Sequence, residues 1–316
     1  MTTTPLTVAV LGPGGVGGLI GGLLARDGHR VVCLAGERTA AVLARDGLRV
    51  RSGQFGTFTA DVEAATELSE PVDAVLVTVK ETALAASLDR LPADVLGAAL
   101  VVPLLNGLDH MAVLRERYPA AGVVAGTIRV ETTRTAPGRI EHTSPFAAIE
   151  LAAPSGPTGP ATSTAPATSD ELRRPVEEFA EQLRHAGLTV TLREDETAML
   201  WSKLSFLAPL ALLTTRHTSD VGTVRTEHRP ELLAALDEIT AVARAVGAPA
   251  DAQALLAVID RAPGAMRSSM QRDAEAGRPT ELDATGGAVL RAAAAHGIAV
   301  PTLARLVAEL SEPAER

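Results

Sequence analysis

Residues 6–17 read LTVAVLGPGGVG, an apolar run that ends in a cluster of glycines. The run 6–11 predicts a short buried strand. The pattern G-x-G-x-x-G is then fitted by Gly12, Pro13, Gly14, Gly15, Val16 and Gly17. In such a turn the glycines permit a sharp bend, close approach of a pyrophosphate and tight packing of a helix on the strand. The stretch favours a dinucleotide-binding turn, and a turn that serves packing alone is the alternative.

The remainder of the first half repeats this strand–helix alternation. Apolar runs at 31–35, 74–79 and 100–105 are each followed by a helical segment. Near-continuous apolar strands that alternate with helices predict a parallel sheet covered on both faces. Shorter strands, which suggest an antiparallel extension, are expected at 47–52, 55–61, 122–132, 138–143 and 147–152. The fold class expected is therefore α/β, with an N-terminal Rossmann-type parallel sheet domain.

The strand patterns stop near residue 193. A helical pattern begins at Glu194 and runs through Leu210, and others follow at 229–246, 251–260, 263–276, 280–296 and 301–313. We therefore expect a dinucleotide-binding domain over 1–193 and an all-helical domain over 194–316. Within the first, 154–170 is rich in Pro, Gly, Ser, Thr and Ala and is predicted to be a flexible insertion.

Composition restricts the classes of function. Among 316 residues the formal net charge is −9 and aromatic residues make up 2%, so general nucleic-acid binding is not expected. The single cysteine, Cys33, excludes an intrachain disulfide, and the seven histidines show no metal-ligand spacing. No signal peptide or membrane span is predicted, and the expected setting is the cytoplasm.

Polar residues follow several of the predicted strands. Glu37 and Arg38 come after the second strand, where an acidic residue favours NAD and an arginine favours NADP. Both are present, so the choice stays open here. Lys80 and Asn106 directly follow the two later strands. Because the carboxyl ends of parallel strands share one edge of a sheet, these residues are candidates for a ligand site.

Lys203 is the most distinctive residue of the second half. On a helix it shares one face with Leu200, Leu207 and Leu210. Partial desolvation lowers the pKa of an amine towards the range useful for proton transfer. A lysine at the helix edge, with its stem on the core, is the alternative. Glu281, taken alone, is a first-turn residue of a helix that begins after a proline.

The order of these motifs resembles the ketopantoate reductase (2-dehydropantoate 2-reductase) family over nearly the whole length. The resemblance is carried by the glycine pattern, VTVK at 77–80, LNG at 105–107, RTAPG at 134–138, HT at 142–143, LWSKL at 200–204, SSM at 268–270, TELD at 280–283 and HGIAVPT at 296–302. It implies a pantothenate-pathway oxidoreductase that binds NADPH, with NADH not excluded. Hydride would pass to a small-molecule 2-oxo acid, with ketopantoate as the named candidate. A homodimer through the helical domain is also implied.

The resemblance also implies roles for single residues. Lys203 would be the general acid that protonates the forming alkoxide, and Asn106 would help to place substrate or nicotinamide. Glu281 would hold the substrate's hydroxyl or orient the lysine, and Ser269 would bind the substrate's polar end. Lys80 would line the cofactor or substrate cleft. An ammonium beside a carbonyl stabilises charge that develops only in the transition state.

The sequence departs from the family pattern at three positions. Leu207 and Ala211 replace asparagines found after the lysine, and Gly36 replaces the arginine after the second strand, with Arg38 two places on. A more apolar pocket favours a bulkier or less polar ketone of secondary metabolism as a rival substrate. A rival of another class is a non-catalytic dinucleotide-binding sensor.

Overall fold

A computed structural model describes residues 4–153 and 169–312. The chain divides into two compact units, each described by itself below. The first comprises Met1–Leu105 and His110–Glu196, and the second comprises Asn106–Asp109 and Thr197–Arg316. The short segment Asn106–Asp109 thus groups with the C-terminal half.

The first unit is built on a six-stranded parallel sheet. In chain order its strands, with those of two smaller sheets, are β1 (Thr7–Leu11), β2 (Arg30–Leu34), β3 (Leu48–Ser52), β4 (Gly56–Ala60), β5 (Glu63–Ala65), β6 (Ala74–Val77), β7 (Leu100–Pro103), β8 (Gly122–Val123), β9 (Ala125–Arg129), β10 (Thr132–Ala136), β11 (Arg139–His142), β12 (Ala148–Ala152) and β13 (Thr189–Arg193). The large sheet runs β5-β2-β1-β6-β7-β8. Every neighbouring pair in it is parallel. This is the order 3-2-1-4-5-6 of dinucleotide-binding sheets.

The first unit also contains helices, several of which pack against its sheets. They are α1 (Gly15–Arg26), α2 (Glu37–Asp46), α3 (Leu84–Leu88), α4 (Ala93–Leu96), α5 (His110–Arg117) and α6 (Ser169–His185). Among them, α1, α2 and α5 pack against the large sheet. Leu19 and Leu23 of α1 are fully buried in the same apolar cluster as Val8 and Val10 of β1. Cys33 lies in this core, and burial raises the pKa of its thiol to about 12.

Two smaller sheets complete the first unit. One has the order β10-β11-β3-β4, and the other has the order β13-β12-β9. The predicted antiparallel pairing is present between β10 and β11, β3 and β4, and β9 and β12, but both sheets are mixed, since β11 pairs with β3 in parallel, as does β12 with β13. The strand β10, over Thr132–Ala136, lies largely between the strands expected at 122–132 and 138–143.

The second unit is helical. Its helices are α7 (Glu196–Arg216, beginning on the last residue of the first unit), α8 (Val221–Thr226), α9 (Arg229–Ala245), α10 (Ala252–Arg261), α11 (Ser269–Glu275), α12 (Ala288–Ala295) and α13 (Pro301–Ser311). By length and composition α7 could cross a membrane, with a mean hydropathy of 1.3 over a window of which 67% is buried. Its buried side chains, Leu212 and Leu213 among them, belong to the core of this unit, as in a core helix of a globular fold.

The predicted fold class is confirmed: a parallel sheet with helices, followed by a helical region. Two sequence predictions need correction. Residues 263–276 were expected to form one helix, but α11 begins only at Ser269, because Ser268 caps it. Of the predicted insertion 154–170, residues 154–168 lie outside the described residues, and the last two belong to α6.

Candidate active site

The three pattern glycines of the turn after β1, Gly12, Gly14 and Gly17, differ in their environments. Gly12 has a φ of +84°, which the tight turn requires. A Cβ on Gly14 would meet only a carbonyl oxygen 3.8 Å away, so this position is open. A Cβ on Gly17 would lie 2.2 Å from Oγ1 of Thr78, so only glycine lets α1 pack here. These are the three roles expected of a pyrophosphate-binding turn: bend, approach and packing.

The N-terminus of α1 is suited to an anion. Its N-cap residue, Gly14, contributes no side-chain cap, and the first turn carries no acidic residue. The first N–H groups of a helix have no partner within it, and the dipole favours negative charge there. The turn is held in place by Thr78, whose hydroxyl donates to the carbonyls of Leu11 (3.1 Å) and Gly12 (2.8 Å). The residues present therefore fit a dinucleotide pyrophosphate.

Thr78 was missed as a site-building residue by sequence reasoning. It stood inside the VTVK motif, but nothing in the local pattern indicates a bond to a turn 66 residues earlier. Of the other predicted cofactor residues, Arg38 and Lys80 belong to the same unit, whereas Asn106 groups with the second. Lys80 is exposed and precedes a 3₁₀ turn, while Glu37 and Arg38 are exposed in the first turn of α2, whose N-cap is Gly36.

The helical unit brings two of the predicted catalytic residues together. Nδ2 of Asn106 donates to Oε2 of Glu281 over 3.1 Å, although the two residues are 175 positions apart. Glu281 is only 9% exposed. A buried carboxylate requires hydrogen-bond donors, and the Asn106 amide is one of them. Asn106 is thus both a strand-end residue in sequence and a partner of Glu281 in space.

Close backbone packing fixes the position of the segment that follows Asn106 against the turn that follows Glu281. Gly107 has a φ of +86°, and a Cβ there would lie 2.5 Å from the carbonyl oxygen of Ala284. Ala284 belongs to a π-helical turn over Asp283–Gly287, a feature that often occurs at functional sites. Arg291 then donates to the carboxylates of Asp109 (2.6 Å) and Asp283 (2.8 Å). The segment after Asn106 is therefore tied to the turn after Glu281.

Lys203 lies on α7, half-buried, between the buried residues Leu200 and Leu204. Of the leucines predicted to share its face, Leu200 and Leu210 are buried and Leu207 is half-buried, so that face is apolar as predicted. Of the two positions where the resemblance implied asparagines, Leu207 is half-buried, whereas Ala211 is 1% exposed and belongs to the core of the unit. Only the first of the two can alter a surface that a ligand touches.

Two adjacent serines of α11 have different environments. Ser268 is the N-cap: its hydroxyl accepts from the N–H of Gln271 (3.0 Å) and from Oγ1 of Thr214 (2.8 Å). Ser269, the predicted substrate residue, is exposed in the first turn. Of the two serines, it is therefore Ser269, the predicted substrate residue, whose hydroxyl is available at the surface.

The structure also gathers a group that histidine spacing did not reveal. Side-chain ligand atoms of His217, His228 and Glu231 lie within 4.8 Å of one another. The two imidazole rings stack at 3.6 Å with planes 7° apart. An ion between stacked rings would lie outside both ring planes, where imidazole nitrogen binds metals poorly. Glu231 instead accepts from His217 (2.7 Å) and from Arg305, as in a hydrogen-bonded network.

Comparison with protein families decides the classification. Two family models match: ketopantoate reductase PanE/ApbA over residues 8–156, and its C-terminal counterpart over 195–314. The chain belongs to the ketopantoate reductase family. A 2-dehydropantoate 2-reductase of Caulobacter vibrioides is 30% identical over 314 residues, which cover 98% of this chain and 99% of the relative. As a member of this family, the protein is an oxidoreductase.

Solved structures agree with this family assignment. A 2-dehydropantoate 2-reductase from Methylococcus capsulatus matches with a TM-score of 0.83 and 25% identity, over 98% of this chain and 99% of that chain. A D-mandelate dehydrogenase with NADH and anilino(oxo)acetate matches with a TM-score of 0.81 and 19% identity, over 96% and 97%. At that identity the second likeness concerns the fold alone.

Proposed function

We propose that this ketopantoate reductase family member uses NADPH to reduce the carbonyl of a 2-oxo acid, with ketopantoate as the first candidate. The observation that carries the proposal is the hydrogen bond between Asn106 and the buried Glu281, which brings two of the family's motif residues together. The glycine turn after β1 supports it, since each glycine has the environment that a pyrophosphate-binding turn needs.

The first unit supplies the cofactor residues in this proposal. The turn from Gly12 to Gly17 and the N-terminus of α1 hold the pyrophosphate, and Lys80 and Arg38 contribute positive charge at neighbouring strand ends. When bound, the reduced nicotinamide supplies the hydride. Transfer of that hydride to the carbonyl carbon would leave an alkoxide oxygen on the substrate, which then needs a proton.

The helical unit supplies the proton and the substrate contacts. Lys203 is the general acid, because an ammonium both stabilises the developing oxyanion and protonates it. Asn106 orients substrate or nicotinamide, and Glu281 holds the substrate's hydroxyl or orients Lys203. Ser269 binds the polar end of the substrate. We propose residues 194–316 as the substrate domain and also as the dimer-forming domain of a cytoplasmic homodimer, which light scattering of the purified protein would test.

The test is a substrate panel followed through the absorbance of the reduced nicotinamide. NADPH and NADH are each combined with ketopantoate and with a series of apolar 2-oxo acids. We expect turnover with at least one 2-oxo acid and faster turnover with NADPH. Dinucleotide binding without turnover on any carbonyl compound would instead indicate a sensor and would overturn the proposal.

A less polar ketone is the second candidate, and Leu207 favours it. This side chain is half-buried on the same helix as Lys203, at a position where the resemblance to the family implies an asparagine amide. An apolar residue there removes a hydrogen-bonding partner and contacts a hydrocarbon group instead. In that case Leu207→Asn would raise kcat/KM for ketopantoate and lower it for apolar 2-oxo acids. The control is Ser202→Asn, because Ser202 is exposed on the same helix and gains the same amide. Leu213→Ala would be unsuitable, since it would open a cavity in the core.

A further inference from the structure

The end of β2 is the position that distinguishes the two nicotinamide dinucleotides in this fold. The residue that follows the strand reads the 2′ position of the adenosine ribose. Here the chain continues with Ala35 and Gly36, and Gly36 has no side chain to offer. A positive group that binds a 2′-phosphate must therefore come from another part of the unit.

Arg90, which follows α3 in sequence, lies beside this strand end. Its Nη1 donates to the carbonyl of Ala35 (3.2 Å) and to the carbonyl of Thr66 (2.7 Å). A Cβ placed on Gly36 would lie 3.9 Å from Nη2 of Arg90. The backbone carbonyl of Arg90 accepts from the N–H of Leu68 (2.9 Å), which fixes the residue on the edge formed by β2 and β5.

The two carbonyls use only part of the guanidinium. Arginine carries five N–H donors in a planar fork, and the Nη1 group accounts for two of them. Among the described residues, no acceptor bonds to Nε or Nη2 of Arg90. The edge formed by Nε and Nη2 is the one that binds phosphate through two parallel hydrogen bonds.

We propose that Arg90 binds the 2′-phosphate of NADPH and selects it over NADH; this rests on the proposed function. The glycine at position 36 leaves space beside the guanidinium, and the bonds to Ala35 and Thr66 hold the fork in place before the ligand arrives. Preorganisation lowers the entropic cost of binding.

Arg38 is the competing residue, since the sequence alone points to it. It is exposed in the first turn of α2, with Glu37 of opposite charge next to it. Among the described residues no hydrogen bond restrains the Arg38 side chain, so binding would have to order a flexible group. Arg90 avoids most of that cost, and Arg38 then adds only general positive charge.

The test measures binding of 2′,5′-ADP, 5′-ADP, NADP⁺ and NAD⁺ by calorimetry, without a substrate. The variants are Arg90→Gln, whose amide can still donate to a carbonyl, Arg90→Lys, which keeps the charge, and Arg38→Gln, which tests the competing residue. We expect Arg90→Gln to raise the Kd of NADP⁺ and of 2′,5′-ADP by about tenfold to a hundredfold, the effect of losing charge-assisted hydrogen bonds. Binding of NAD⁺ and 5′-ADP should stay within about twofold, and Arg90→Lys should recover part of the loss.

Other results would overturn the inference. An equal loss for all four ligands would mean that Arg90 only supports the loop, and a selective loss in Arg38→Gln alone would assign the phosphate to Arg38. Wild-type protein that binds NAD⁺ and NADP⁺ equally would remove this inference but leave the proposed reductase. Wild-type protein that binds neither dinucleotide would remove both.

Discussion

At the residue scale, Lys203 carries the proton-transfer part of the proposed reaction. Replacing it with alanine removes both the proton donor and the charge that stabilises the alkoxide. We expect Lys203→Ala to lower kcat by about 10²–10⁴-fold, as for loss of a general acid, while the Kd for NADPH changes little. Pre-steady-state and steady-state rates of NADPH oxidation measure the first quantity, and calorimetry measures the second.

The neighbouring Ser202 provides the control for that experiment. It is exposed on the same helix, so Ser202→Ala tests whether any small change to α7 lowers the rate. We expect wild-type kcat from this control. Full turnover in Lys203→Ala would contradict the role of Lys203, because it is the only proton donor in the proposed reaction.

Asn106 and Glu281 make a second prediction at this scale. Their hydrogen bond, 3.1 Å long, leaves a buried carboxylate short of a donor when Asn106 becomes alanine. We expect Asn106→Ala and Glu281→Gln to show a coupling of about 0.5–3 kcal/mol in a double-mutant cycle, as residues in direct contact do. The cycle is read from unfolding free energies and again from kcat/KM. Additive effects in both readouts would argue that the pair does not act as a unit.

At the element scale, the turn between β1 and α1 separates ligand binding from packing. A Cβ on Gly14 has open space, whereas a Cβ on Gly17 would collide with Thr78 and with the carbonyl of Gly12 at 2.7 Å. We expect Gly14→Ala to keep the wild-type unfolding free energy but to raise the Kd for NADPH by about tenfold or more, since the methyl group displaces a phosphate. Gly17→Ala should lower the unfolding free energy by about 1–3 kcal/mol through overpacking.

Chemical denaturation and calorimetry on the two variants check that division. If Gly14→Ala binds NADPH as the wild type does, the open position beside the turn is not where the pyrophosphate lies. If Gly17→Ala is as stable as the wild type, the helix has room to move away from β6, and the packing role of this glycine is wrong.

Elements with local signals were predictable from the sequence. The strand before Gly12 and the turn itself are encoded within a dozen residues, and the parallel order follows from strand–helix alternation. Helix starts were less certain, because a cap such as Ser268 acts through one side chain and leaves the apolar periodicity unchanged. For that reason 263–276 looked like a single helix.

At the scale of the whole molecule, contacts between distant residues were beyond sequence reasoning. The motifs around Asn106 and Glu281 could be named, but no periodicity reveals that the two side chains bond. No motif or periodicity in the sequence pointed to Arg90. It lies beside Gly36 only because the turn after α3 brings the chain back to the ends of β2 and β5. Chemistry-bearing residues were found by type and motif, and their partners required the fold.

The stability of the whole molecule should depend on pH through His29. This imidazole is 6% exposed; its Nδ1 accepts from the N–H of Leu6 (3.0 Å). Burial lowers its pKa below the ordinary 6.5, an effect that Asp27 opposes and His185 reinforces. The unfolded chain therefore binds the proton first, so the contribution of His29 to stability is constant above about pH 6.5 and falls as pH decreases from there towards the lower native pKa. His29→Asn, which keeps an acceptor for Leu6, should flatten this fall in denaturant unfolding between pH 8 and 5, while the exposed control His296→Asn should not; an unchanged pH profile in His29→Asn would place the acid sensitivity elsewhere.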